Sequence, residues 1–191
     1  MRAVLDRLCF WSEPMNFDFN RNHFELFGLQ ARFQIEQARL EQAYRDIQTM
    51  VHPDRFTHLS DAERRASMQW ATRANEAYQT LKKPISRASY LLQLNGIETF
   101  GEASAAMPAD FLVSQMEWRE TIMEAKAVRD VAGLLHLEAK LGREVNDLSQ
   151  HLTRILDEEK NFQAAAETIR KWRFLEKLQE EIGDALEALE T

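Results

Sequence analysis

The 191-residue sequence has one cysteine, Cys9. It can form no intramolecular disulfide and no cysteine-based metal site. A single thiol fits a reducing compartment, and the expected location is cytoplasmic. Glycine (6) and proline (4) are scarce, which argues against the many tight turns of an all-β fold. No apolar run approaches the ~20 residues that span a bilayer. Leu8-Cys9-Phe10-Trp11 is too short for a signal-peptide core and follows acidic Asp6. There is no Gly-rich phosphate loop and no serine or cysteine nucleophile in a motif. The five histidines (23, 52, 58, 136, 151) never stand at His-x-x-x-His spacing, so no metal or other cofactor is expected.

What is present is helix-forming. Apolar residues make up 45% and charged residues 29%, enough for one large domain or two small ones. The net charge of −7 is unevenly divided. Residues 1–92 hold 13 Lys+Arg against 11 Asp+Glu, and residues 93–191 hold 11 against 20. An acidic second half argues against nucleic-acid binding, which needs a basic face, and suits a basic or neutral protein partner. Residues 1–21 read as an N-terminal tail. Its first 14 residues match nothing that follows, and Met15 is a candidate start.

The periodicity predicts helices in series. His23-Phe24-Glu25-Leu26-Phe27-Gly28 is one turn closed by glycine. A first long helix covers 34–51, with Leu40, Ala43, Tyr44, Ile47 and Val51 at helical spacing. Pro53 ends it, leaving His52 at or near its last position and Pro53, Asp54 and Arg55 on an exposed turn. Ser60-Asp61-Ala62-Glu63 reads as a capping box. The helix it opens runs to Lys82, with Trp70, Ala74, Ala77, Tyr78 and Leu81 on one face. Matched stripes and a short loop make 34–82 an antiparallel helical hairpin. Pro84 begins a short helix over 85–93. Asn95-Gly96 marks a turn, and the segment to Pro108 is a linker.

Three further helices are predicted over 109–126, 129–158 and 162–189. Leu134, Leu137, Leu141, Val145, Leu148, Leu152 and Ile155 form a seam of alternating three- and four-residue steps. Leu175, Leu178, Ile182, Leu186 and Leu189 line the last helix. The helix over 109–126 carries two apolar lines. Phe111, Trp118 and Ile122 make one; Leu112, Met116 and Met123 make another, roughly 120° round. One helix of a three-helix unit needs a single core stripe. The second is therefore either extra core or an exposed binding face. Phe174 sits about 80° off its own helix's seam, at the edge.

These motifs together resemble a known family. Leu40-x-x-Ala43-Tyr44-Arg45, His52-Pro53-Asp54 and Asn75-Glu76-Ala77-Tyr78-Gln79-Thr80-Leu81 are similar to a J-domain. Arg87-Ala88-Ser89-Tyr90-Leu91-Leu92 and Asp110-Phe111-Leu112 through Glu117-Trp118-Arg119-Glu120 narrow the match. So does Ala164-Ala165-Ala166-Glu167-Thr168-Ile169-Arg170-Lys171-Trp172-Arg173-Phe174-Leu175. The resemblance is to the HscB-type co-chaperone of iron–sulfur cluster assembly.

The resemblance implies an all-α, L-shaped, two-domain protein. Its parts are a J-domain hairpin (22–94), a linker (95–108) and a C-terminal three-helix bundle (109–191). It also implies that the chain is not an enzyme. The J-domain would bind a DnaK-type chaperone of the HscA kind and stimulate its ATPase. The C-terminal domain would bind a scaffold protein of the IscU kind and deliver it to the chaperone.

By similarity, the chaperone side uses His52, Pro53 and Asp54, with Arg39, Arg45 and Arg55 as basic contacts. The scaffold side uses Leu112, Val113, Met116, Glu117, Glu120 and Phe174. The helix before the tripeptide departs from the usual basic face. Arg39 and Arg45 are mixed there with Glu36, Glu41 and Asp46. An adaptor whose hairpin has lost chaperone coupling is the alternative. A hydrolase using His52 and Asp54 lacks a nucleophile.

Overall fold

The computed structural model describes residues 20–51, 61–97 and 109–190, and every regular element among them is a helix. The helices are α1 (His23–Leu26), α2 (Gln37–Met50), α3 (Asp61–Lys82), α4 (Pro84–Leu94), α5 (Ala109–Ala127), α6 (Val131–Thr153) and α7 (Phe162–Glu190). A π-helical turn, Arg154–Glu158, continues α6.

The short α1 is held at both ends. The Asn22 side chain accepts the amides of Phe24 and Glu25, and Glu25 accepts the Asn22 amide at 2.9 Å. Gly28 adopts φ +62°, the left-handed conformation that closes the turn at no side-chain cost. This fixes Phe24, fully buried, under the hairpin.

The described residues divide into two compact units. The first holds residues up to Gln30 and Glu36–Leu81. Its core includes Leu40, Ile47, Val51, Ala74, Ala77 and Leu81, from the two stripes legible in the sequence. The second holds Ala31–Ile35 and everything from Lys82 onward.

The second unit includes α4, where the sequence reading grouped 22–94 together. The cause is the number of faces that α4 must cover. Ile85, Ala88, Leu91 and Leu92 are buried, and so are the polar Arg87 and Ser89 between them. A helix covered on so much of its surface needs more than one neighbour. α4 packs along α7, and Arg173 donates to Ser89 Oγ at 3.0 Å.

Two predicted helix bounds shift. α2 starts at Gln37 rather than at residue 34, and α6 gives way at Arg154 to a π turn. The Glu159 amide reaches the Arg154 carbonyl five residues back, at 3.0 Å. Such a turn accommodates one extra residue and rotates the side chains that follow it. Asp157 is thereby turned inward and is 8% exposed. Its carboxylate accepts the Phe33 amide at 2.7 Å and the Gln34 amide at 2.9 Å. Glu36 is extended, at φ −79° and ψ 105°, so the helical conformation of α2 begins only after it.

Arg87 completes this clamp. It donates to the Phe33 carbonyl at 2.7 Å, and its guanidinium lies 5.2 Å from the Phe33 ring centroid. Burial pushes its pKa down to about 10, against the opposing pull of Asp157. The charged pair is tolerable inside the protein because its hydrogen bonds are made.

The rest of the second unit is a three-helix core. Leu134 and Leu141 of α6 meet Leu175, Leu178, Ile182 and Ala185 of α7, with Ile122 and Ala125 of α5 closing the third side. Each fully buried leucine contributes about 2–3 kcal/mol.

Candidate functional site

The first candidate surface is the end of the hairpin. His52, Pro53, Asp54 and Arg55 lie outside the described residues, as does Ser60 of the proposed capping box. What is described is the frame on either side. Val51 ends α2, buried, and its carbonyl accepts the Ser67 hydroxyl of α3 at 3.3 Å. Seven residues back along α2, Tyr44 stacks on Tyr78 of α3 with ring centroids 4.1 Å apart. Tyr44 also donates to Asn75 Oδ1 at 3.2 Å. These pairs fix the antiparallel register of α2 and α3 up to the residue before His52.

The basic residues assigned to this surface are dispersed. Arg39 and Arg45 are both exposed but lie about 120° apart around α2. Arg39 reaches the Gly28 carbonyl at 3.4 Å. Arg45 donates to Gln42 Oε1 at 3.1 Å, and Gln42 in turn donates to Asp46. Across the loop, Arg64 pairs with Asp61 of its own first turn. α2 therefore presents no continuous basic stripe.

The second surface is on α5, and the structure separates its two apolar lines. Phe111, Trp118 and Ile122 pack into the core of the second unit. Phe111 meets Phe174 edge-to-face at 5.5 Å between centroids, a favoured aromatic arrangement. Cations border this inner line, with Lys140 Nζ 4.5 Å from the Trp118 centroid and Lys171 Nζ 5.9 Å from that of Phe111. The other line faces outward. Leu112 is 48% exposed, Val113 54%, Met116 72% and Met123 70%. Glu117, Glu120 and Glu124 are exposed beside them. An apolar strip on one helix with a carboxylate flank has the composition of an interface centre and its polar rim.

Five of the six residues assigned to the scaffold side thus lie exposed on α5. Phe174 does not join them. It is 8% exposed and belongs to the core, capped by Phe111 and by the Arg119 guanidinium 5.7 Å from its ring centroid. Its distance from the α7 seam reflects a second contact, with α5, rather than a place at the surface. Conversely, Met123 extends the exposed strip by two turns and was absent from the assigned set. Its position on the Leu112-Met116 line was the signal for it.

No helix among the described residues is long and apolar enough to cross a membrane. Comparison with known proteins agrees with the geometry. The family model described as the HSCB C-terminal oligomerisation domain matches residues 107–183. The chain is 49% identical over 177 residues to the co-chaperone protein HscB homolog of Aromatoleum aromaticum, covering 93% of this chain and 100% of that protein. It is 52% identical over 175 residues to the homolog from Chromobacterium violaceum, covering 92% and 99%. Among solved structures, chaperone HscB from Vibrio cholerae superposes with a TM-score of 0.79 at 36% identity, covering 88% of this chain and 99% of that one. The human co-chaperone HscB gives 0.80 at 30% identity, covering 87% and 82%. An all-α chain with a J-type hairpin and a C-terminal helical unit, matched over most of its length in this way, belongs to the HscB family of co-chaperones of iron–sulfur cluster assembly.

Proposed function

We propose that this chain is a non-enzymatic cytoplasmic adaptor that carries a scaffold protein of the IscU kind to a DnaK-type chaperone of the HscA kind and stimulates that chaperone's ATPase. The observation that carries the reading is the outward strip of α5. A helix that already fills its place in the core with Phe111, Trp118 and Ile122 still exposes Leu112, Val113 and Met116. Covering such side chains is worth about 1–2 kcal/mol each, which suits a complex that forms and releases. Glu117 and Glu120 would meet a basic rim on the scaffold and speed association at low salt. Phe174 serves this surface from below, by holding Phe111 and Arg119.

On the other unit, Asp54 presents a carboxylate to an arginine of the chaperone. A charge-assisted bond of this type is stronger than a neutral one. His52 and Pro53 belong to the same contact, while Arg39, Arg45 and Arg55 supply long-range attraction. The bond forms in the partner's allosteric surface, and the hydrolysis occurs in the partner.

The test is the Asp54→Asn variant. It should keep the helical circular dichroism and the scaffold affinity of the parent chain while losing stimulation of the chaperone. Full stimulation by that variant would remove Asp54 from the contact.

A further inference from the structure

We infer that Met116 and Met123 are a paired oxidation site through which peroxide weakens scaffold binding. The inference rests on the reading of α5 as the scaffold-binding face. The two methionines are seven residues apart, so two turns of helix bring them within about 20° of the same line. Both are among the most exposed large apolar side chains described, at 72% and 70%. Leu112 lies on the same line, 48% exposed. Two of the four side chains of the apolar strip, with Val113, are thus thioethers, a group that suits adaptable interfaces and is open to oxidants.

The chemistry is self-contained. A sulfur lone pair attacks one oxygen of hydrogen peroxide. The S–O bond forms as the O–O bond breaks, and the departing hydroxide takes up the transferred hydroxyl's proton to leave as water. Sulfur loses two electrons and the peroxide gains them. The product sulfoxide is a strong dipole where the interface needs an apolar surface. Burying such a group without a partner is costly. Methionine sulfoxide reductases, one for each epimer, restore the thioether.

Position supplies the specificity. Met68 is also exposed, at 61%, but stands on α3 in the other compact unit. Met50 is partly buried at the end of α2. Oxidation at either leaves the α5 strip unchanged.

The experiment uses the full chain and a purified scaffold protein of the IscU kind. The chain is treated with hydrogen peroxide, then with dithiothreitol to reverse oxidation at Cys9. Sulfoxides are located by peptide mass spectrometry, and the dissociation constant is measured before and after. The same is done for Met116→Leu/Met123→Leu and for Met68→Leu, each compared with its own untreated form so that any direct effect of leucine cancels.

Peroxide should weaken binding about tenfold in the parent chain and in Met68→Leu. In the double variant the change should stay under about twofold. An equal loss in the double variant would place the sensitive group elsewhere. Unchanged binding by a parent chain carrying both sulfoxides would overturn the inference. Failure of the untreated chain to bind the scaffold removes the docking reading itself, and this inference with it.

Discussion

Asp157 holds Phe33 across 124 residues of sequence, accepting its amide at 2.7 Å inside the second unit. The same carboxylate takes the Gln34 amide, and Arg87 holds the Phe33 carbonyl from the other side. Removing the carboxylate leaves two amides without their acceptor and takes away the charge that faces the buried Arg87 guanidinium. Asp157→Ala should destabilise the protein by about 3 kcal/mol, and Asp157→Asn by less, because one amide oxygen can still accept. Urea denaturation followed by circular dichroism reads both. A change under about 0.5 kcal/mol for Asp157→Ala would show that the clamp is dispensable.

The placement of Phe174 against Leu112 and Met116 gives a second contrast. Phe174→Ala opens a cavity under Phe111 and should cost about 3–5 kcal/mol, lowering the melting temperature by roughly 10 °C. Leu112→Ala with Met116→Ala removes exposed atoms. That pair should shift melting by less than about 2 °C and weaken scaffold binding by about 30-fold. Thermal melts and a binding isotherm on the same preparations separate core from interface. A double variant that melts like Phe174→Ala would return the outer strip to the core.

His23 makes the first unit sensitive to acid. Burial holds its pKa below the ordinary 6.5, helped by the Arg73 charge and opposed by Glu76. Above 6.5 the folded and unfolded chains are both neutral at this site. Below it the unfolded chain takes a proton that the folded chain still refuses, so stability falls as pH drops. His23→Gln should flatten this part of the profile. Urea midpoints of the two proteins should converge from about pH 7.5 to about pH 5.5. Parallel profiles over that window would contradict the assignment.

How far the sequence could be read depended on the range of the interaction. Leu40, Ile47, Ala77 and Leu81 are legible because helical period and burial are local properties. So is the seam of Leu134, Leu141, Leu178 and Ile182, all fully buried. The two lines on α5 were also legible, but not which of them faced out, since that depends on what α6 and α7 offer. Leu112, Val113, Met116, Glu117 and Glu120 reached the site through family resemblance, and the structure shows them exposed. Phe174 is buried by Phe111 and Arg119 from another helix, and its own helix gives no sign of that. Asp157, inside an apparently regular helix, carried no local signal, because its partners stand more than 120 residues away. The same holds for the place of α4, which depends on contacts with α7.

In the proposed function one chain couples two partners. The most direct measurement is the steady-state ATPase rate of a purified chaperone of the HscA kind with this chain alone, with the scaffold alone and with both. The account predicts that both together raise the rate by clearly more than the two separate increments combined. It also predicts that Leu112→Ala/Met116→Ala removes this excess while the chain's own stimulation persists. Merely additive rates, or an excess that survives loss of the α5 strip, would contradict the adaptor.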